Sequence, residues 1–250
     1  MWNDGWIVVA GASRGIGRAL AQRLARENTR VVLSARDAAA LDDVAALYGP
    51  ERRRVIPWDF SVPESLEEYG KRVLETAGPV SGMAYCAGKQ KTLPLNMSKP
   101  ATARDIFDLN TFSAIELVRV LSKKEILNPG GASFVLISSL AAHEGAVGKT
   151  LYAASKAALE GFVPPAASEL APKRIRLNSL VLGIVTTDMS MEFIGKMTAE
   201  QRNDMESGYP LGLGEPNDVA SFIRFLLSDE SRWITGQAFV ADGGHSARKA

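Results

Sequence analysis

The chain has 250 residues, 46% hydrophobic and 23% charged, with 29 basic against 28 acidic side chains and a net charge of +1. That size and apolar content suit one large α/β domain with its own core, and the charge balance lacks the basic excess that nucleic acid or an anionic membrane surface would select. No apolar run approaches the roughly 20 residues of a membrane-spanning helix, and one cysteine (Cys86) with two histidines (His143 and His245) excludes an intrachain disulfide and supplies no metal-ligand cluster.

The opening Met1-Trp2-Asn3-Asp4-Gly5 has neither a basic leader nor a small-residue cleavage site, so a reducing cytoplasm is the expected location. Apolar, β-branched runs then recur at 7–10, 30–33, 55–58, 82–86, 134–138, 176–182 and 237–240, with helix-length segments at 17–27, 41–47, 63–77, 102–127, 153–170 and 217–227 between them. Strands that are apolar throughout, alternating with helices, predict a parallel sheet covered on both faces. The expected architecture is α/β, a single-domain Rossmann-type doubly wound sheet over residues 1–250, undivided by repeat or linker.

The first strand runs into Gly11-Ala12-Ser13-Arg14-Gly15-Ile16-Gly17 and then a helical pattern. Glycines at such a turn let the backbone bend tightly and approach a pyrophosphate held at the positive end of the following helix. The spacing is Gly-x-x-x-Gly-x-Gly, not Gly-x-Gly-x-x-Gly, so the strand-to-helix context carries much of the signal. At the end of the second strand, Ala35 stands where NAD binders place an acid for the ribose hydroxyls. Arg36 follows it and Arg14 lies in the glycine turn, so two cations flank the expected 2′-phosphate and favour NADP(H) over NAD.

Farther on, Tyr152 follows Ser139 by 13 positions, and Lys156 lies 4 beyond the tyrosine. Positions i and i+4 of a helix share a face, which sets an ammonium beside the phenol, favours its phenolate and draws its pKa from near 10 toward neutrality. Ser139, one loop away, is placed to hydrogen-bond a reacting oxygen. The same Tyr–Lys spacing also arises as a plain surface pair. The segment 186–216 carries Met189, Met191, Met197 and Met205 and follows a predicted strand. It reads as a lid over an apolar substrate or, equally, as amphipathic helices packing on the domain.

Together these motifs resemble the short-chain dehydrogenase/reductase family, from residue 7 to residue 244. The resemblance implies that Gly11, Ser13, Arg14, Gly15, Ile16 and Gly17 hold the cofactor, that Asp59 and Phe60 meet the adenine, and that Cys86-Ala87-Gly88 closes the family's Asn-Asn-Ala-Gly motif. It further implies that Asn110 is the family's helix asparagine, that Ser139, Tyr152 and Lys156 form the active-site triad, that Val185 and Thr187 orient the nicotinamide, and that Asp242-Gly243-Gly244 is the C-terminal turn. Hydride would pass to a carbonyl carbon, Ser139 would stabilise the alkoxide, Tyr152 would supply the proton, Lys156 would lower the phenol pKa and hold a ribose, and Asn110 would anchor a water. Plainer roles compete: a strand end at Ser139, a helix interruption at Asn110, turn or loop residues at Asp59 and Thr187, and a loop position near the substrate for His143.

Three departures stand out. Tyr85-Cys86 replaces the paired asparagines, so bracing at that strand end must come from elsewhere; Leu182 replaces a proline, loosening the turn before Gly183; and Pro164-Pro165 predicts a kink in the helix begun near Tyr152. The expected substrate is a 3-oxoacyl thioester, as for the β-ketoacyl carrier-protein reductases, with Lys123, Lys124, Lys173, Arg174 and Arg176 as a basic surface for an acidic carrier or as ordinary solvated charges. The alternatives are a free sugar, polyol, steroid or secondary alcohol, and a slow dinucleotide-binding sensor. The resemblance implies a dimer or tetramer, whose usual packing the two prolines complicate.

Overall fold

The structure, a computed structural model, describes residues 5–249; the stretch on which the absence of a leader was read lies largely outside the described residues. Strands β1 (Trp6–Ala10), β2 (Val31–Ser34), β3 (Arg53–Val55), β4 (Val80–Tyr85), β5 (Ala132–Ser139), β6 (Ile175–Leu182) and β7 (Ala238–Ala241) pair in parallel in the order β3-β2-β1-β4-β5-β6-β7. The connecting helices are α1 (Gly15–Ala25), α2 (Ala38–Ala45), α3 (Leu66–Thr76), α4 (Pro100–Phe107), α5 (Ser113–Leu121), α6 (Thr150–Leu170), α7 (Asp188–Ile194), α8 (Ala199–Ser207) and α9 (Pro216–Leu227). None is long and apolar enough to cross a membrane.

Strand alternation explains the two layers. Val8 and Ala10 of β1 pack with Tyr69 of α3, Leu117 of α5 and Leu159 of α6, whereas Ile7 and Val9 pack with Leu20 of α1, Val44 of α2 and Ile223 of α9. Both faces are buried, which is why these strands are apolar at consecutive positions. The sheet order reverses direction between β1 and β4, and in such sheets the crevice outside the carboxyl ends of those strands takes the ligand.

Several expected boundaries move. The third strand lies at Arg53–Val55, not 55–58, and its arginines lean on neighbours: Arg54 sits 4.7 Å over the Trp6 ring and donates to the Thr76 carbonyl at 2.6 Å. The expected helix at 102–127 is interrupted by a π-helical turn, Asp108–Phe112, and ends at Leu121. The helix α6 continues through its prolines for 21 residues. Pro164 and Pro165 lie on its exposed face, and the carbonyls of Glu160 and Gly161 are the ones that lose their donors. The turn at Leu182 is not loose, because that residue is buried in the ladder opposite Ala241 and the next amide, Gly183 N–H, donates to the Ala241 carbonyl at 3.0 Å.

Candidate active site

The loops after β1 and β4 meet backbone to backbone. Gly11 has φ +88°, and a Cβ there would fall 2.7 Å from the Ala87 nitrogen; a Cβ on Gly17 would fall 2.2 Å from the Gly11 carbonyl oxygen. Gly17 therefore seats the helix against the turn and does not face the crevice, unlike Gly11, Ser13, Arg14, Gly15 and Ile16. Arg14 precedes α1 without a side-chain cap, so the first-turn amides of an 11-residue helix are open to an anion. This is a cradle that fits a dinucleotide pyrophosphate. Gly17→Ala is expected to cost about 1–3 kcal/mol by overpacking and to weaken NADPH binding, as read by thermal melting and by titration of NADPH fluorescence; unchanged melting and affinity would refute this assignment.

These residues line one end of a cavity of about 800 Å³ that continues past Ala35, Arg36 and Asp59 to Ser139, Tyr152 and Lys156. Ala35 is buried and Arg36 exposed beside it, so the end of β2 presents a cation and no acid at the expected position. Asp37, next in line, also borders the cavity, but its carboxylate caps α2 through the Ala40 amide at 3.1 Å. Asp59 accepts from the Ser61 amide at 2.9 Å and hydroxyl at 2.8 Å. Burial opposes its charge, but those bonds, with Arg36 and Lys89 nearby, hold the carboxyl below its ordinary value. Phe60 borders the cavity while its buried ring packs edge-on against Tyr69 and Tyr85.

At the other end, Ser139 closes β5 in extended geometry and Tyr152 and Lys156 come from the first turns of α6. Ser139, whose Oγ accepts from the Ala141 amide at 3.3 Å, and Tyr152 line the same stretch of cavity wall. Lys156 is buried, donates to the Ile137 carbonyl at 2.7 Å, and places its Nζ 6.0 Å from the Tyr152 ring centroid. Here the expected electrostatics are corrected. Burial pushes the Tyr152 phenol above its ordinary value, with neighbouring Ser139 working the other way, and burial pushes Lys156 down to about 8 despite the neighbouring Cys86. Desolvation is the dominant cause of both shifts. Cys86 itself, beside them, is pushed up to about 12 by burial and stays a thiol.

Asn110 sits in the π-helical turn and does not line the cavity. Its Oδ1 accepts from the Lys89 amide at 2.9 Å, and its Nδ2 donates to the Lys89 carbonyl at 2.9 Å and Ser155 Oγ at 3.0 Å. That buried side chain is committed to clamping the loop after β4. The Tyr85 hydroxyl donates to the Leu109 carbonyl at 2.6 Å, supplying the bracing that the missing asparagines left open. Cys86, Ala87 and Gly88 line the cavity, and a Cβ on Gly88 would sit 3.4 Å from Asn110 Oδ1 and 3.6 Å from Lys156 Nζ.

Val185 is bridged to Gly214, and Thr187 both caps α7 and lines the cavity, so its local and ligand-facing roles coexist. His143 does not reach the cavity; its ring lies 2.7 Å from Glu160 on the far side of the loop. The basic residues suggested for a carrier protein lie where α5 and α6 return to β5 and β6, at the opposite edge of the sheet from the cavity mouth. Three are engaged there: Lys123 with Glu67, Lys173 with the Ser122 carbonyl, and Arg176 with the Leu226, Ser228 and Ile234 carbonyls.

Gln90, Glu144, Lys149, Phe193 and Tyr209 also line the cavity. Lys149 and Gln90 share a hydrogen bond at 2.9 Å, and the Lys149 ammonium lies 4.2 Å from the Phe193 ring centroid. Glu144 pairs with His245 at 2.8 Å, and that imidazole stacks 4.5 Å from Tyr209, tying the loop after β5 to the C-terminal turn.

Known proteins agree with this layout. The family model described as "Enoyl-(Acyl carrier protein) reductase" matches residues 11–246. Carbonyl reductase family member 4 of Danio rerio is 34% identical over 238 residues, covering 95% of this chain and 96% of its own, and a (3R)-3-hydroxyacyl-CoA dehydrogenase of Rattus norvegicus is 32% identical over 252 residues, covering 95% and 94%. A crystal structure of a short-chain dehydrogenase/reductase, titled glucose/ribitol dehydrogenase, from Brucella melitensis superposes with a TM-score of 0.88 at 30% identity over 96% of both chains. The likeness extends from the glycine turn to the C-terminal loop, and the chain belongs to the short-chain dehydrogenase/reductase family, as an oxidoreductase of carbonyl and alcohol groups.

Proposed function

We propose that the protein interconverts a ketone and a secondary alcohol with NADP(H), Tyr152 being the general acid of the reduction. The observation that carries this reading is the meeting of Ser139 and Tyr152 on one cavity wall, with the buried Lys156 ammonium one helical turn behind the phenol. NADPH, held by the glycine turn, Arg14, Arg36, Lys156, Val185 and Thr187, supplies hydride to the carbonyl carbon when bound. Ser139 orients the carbonyl oxygen and stabilises its growing charge. Tyr152, kept protonated by burial, has the proton to give as that charge appears. The phenolate left behind is stabilised by Lys156, and Asn110 keeps the floor of the site rigid through Lys89 and Ser155.

NADP over NAD rests on Arg36 and Arg14 at a strand end without an acid. Arg36→Asp is expected to reverse the preference, lowering kcat/KM for NADPH by about 10- to 100-fold, the worth of one charge-assisted contact plus a repulsion. An unchanged NADPH/NADH ratio would refute the assignment.

A 3-oxoacyl thioester remains one substrate class, tested by NADPH oxidation with acetoacetyl thioesters. A free small ketone is the reading favoured by geometry, since the basic residues offered to a carrier lie at the wrong edge of the sheet. The segment 186–216 serves as a lid in this reading, Phe193 of α7 lining the cavity. A homodimer or tetramer and a cytoplasmic location belong to the same proposal; light scattering and cell fractionation test them.

A further inference from the structure

A lysine is rarely buried without a counter-charge, because desolvating an ammonium costs more than neutral hydrogen bonds return. Lys149 is 8% exposed and lines the cavity, yet forms no ion pair with a carboxylate among the described residues. Its Nζ donates to the neutral Gln90 carboxamide at 2.9 Å and faces the Phe193 ring at 4.2 Å. Burial alone lowers its pKa, with no anion nearby to oppose that. Glu144, an acid on the same cavity wall, is already engaged by His245 at 2.8 Å. Lys149 caps the start of α6, 3 positions before Tyr152, and both side chains line the same cavity.

We propose that Lys149 and Gln90 form a carboxylate subsite, so that the substrate reduced at Tyr152 is a short oxo acid in its free anionic form. This rests on the ketone-reductase reading and narrows it. Lys149 supplies the charge, while Gln90, whose carbonyl oxygen is taken by the lysine, has its NH₂ group left to donate to a second carboxylate oxygen. With Lys149 only 3 positions before Tyr152 on the wall of one cavity, there is room for only a few bonds between carboxylate and carbonyl. A thioester or ester in the same place would leave the ammonium buried without a counter-charge, which is the penalty that makes such a pocket selective.

The test compares 2-oxo-, 3-oxo- and 4-oxopentanoate with their methyl esters, as substrates with NADPH and as ligands titrated calorimetrically into NADP⁺-loaded protein. Wild type should favour one of the acids over its ester in kcat/KM, and Lys149→Met should collapse that acid-to-ester ratio by about 10- to 100-fold, mainly through KM, with Lys149→Arg recovering part of it. Calorimetric binding of that acid should disappear in K149M while NADPH affinity persists, showing that the variant is folded. Esters reduced as well as every acid by wild type, or a ratio unmoved by K149M, would overturn the carboxylate subsite and leave ketone reduction standing. Failure to reduce any carbonyl would instead count against the ketone-reductase reading, and the calorimetry then decides the subsite by itself: acid binding lost in K149M supports it, and no acid binding by wild type overturns it.

Discussion

Tyr152→Phe is expected to lower kcat by about 10²- to 10⁴-fold, the usual worth of a positioned proton donor, while leaving NADPH binding close to that of wild type. The ring is retained, so the packing of α6 against the loop after β5 has no reason to change; the hydroxyl is the group removed. Ser139 would still approach the substrate oxygen, but with nothing to protonate it the alkoxide would have to draw a proton from solvent. Steady-state kinetics at saturating NADPH, with a parallel fluorescence titration, check this. A variant that turns over normally would transfer the proton role to another residue and return Tyr152 to a packing role.

Lys156→Met should act in opposite directions on activity and stability. The lysine is 4% exposed and its pKa falls from 10.5 to about 8 on burial. Below about pH 8 both folded and unfolded chains hold the proton, and the folded chain bears the full cost of burying the cation, on the order of 3 kcal/mol as an upper limit. Between about pH 8 and 10.5 the unfolded chain binds more protons than the folded one, so the stability of the ligand-free wild type should rise with pH through that window. Buried Tyr69 and Tyr85, whose phenols are raised, pull the other way above pH 10, so the K156M comparison isolates the lysine. The variant should melt higher than wild type at pH 7, lose that advantage as pH approaches 10, and yet show depressed kcat and weakened cofactor binding. Denaturant unfolding at pH 7 and 9.5 measures it. A variant less stable than wild type at pH 7 would mean that the ammonium's bond to Ile137 outweighs its desolvation.

The sheet and its glycine turn were legible because both rest on local chemistry: apolar strands of fixed length and glycines at a strand-to-helix junction. The edge strand β3 was misplaced because Arg53 and Arg54 mask it, their guanidinium groups reaching the Ala45 and Thr76 carbonyls while the backbone pairs with β2. The π-helical turn holding Asn110 leaves no compositional mark, since it differs from α-helix only in which carbonyl each amide selects. Tyr152 and Lys156 were found from spacing, but spacing says nothing of desolvation, and burial reversed the expected direction of the phenol's shift in the ligand-free protein. The surroundings of Lys149 were illegible for the same reason: they are set by Gln90, 59 positions away, and by Phe193 of α7.

Single-turnover reduction with NADPH carrying deuterium at the transferring C4 position puts the central claim to its most direct trial. The label should appear on the carbinol carbon of the product of the wild-type enzyme, and its transfer should slow by about a hundredfold or more in the Tyr152→Phe variant saturated with the same cofactor. Product without label, or label delivered equally fast by both proteins, would contradict the account.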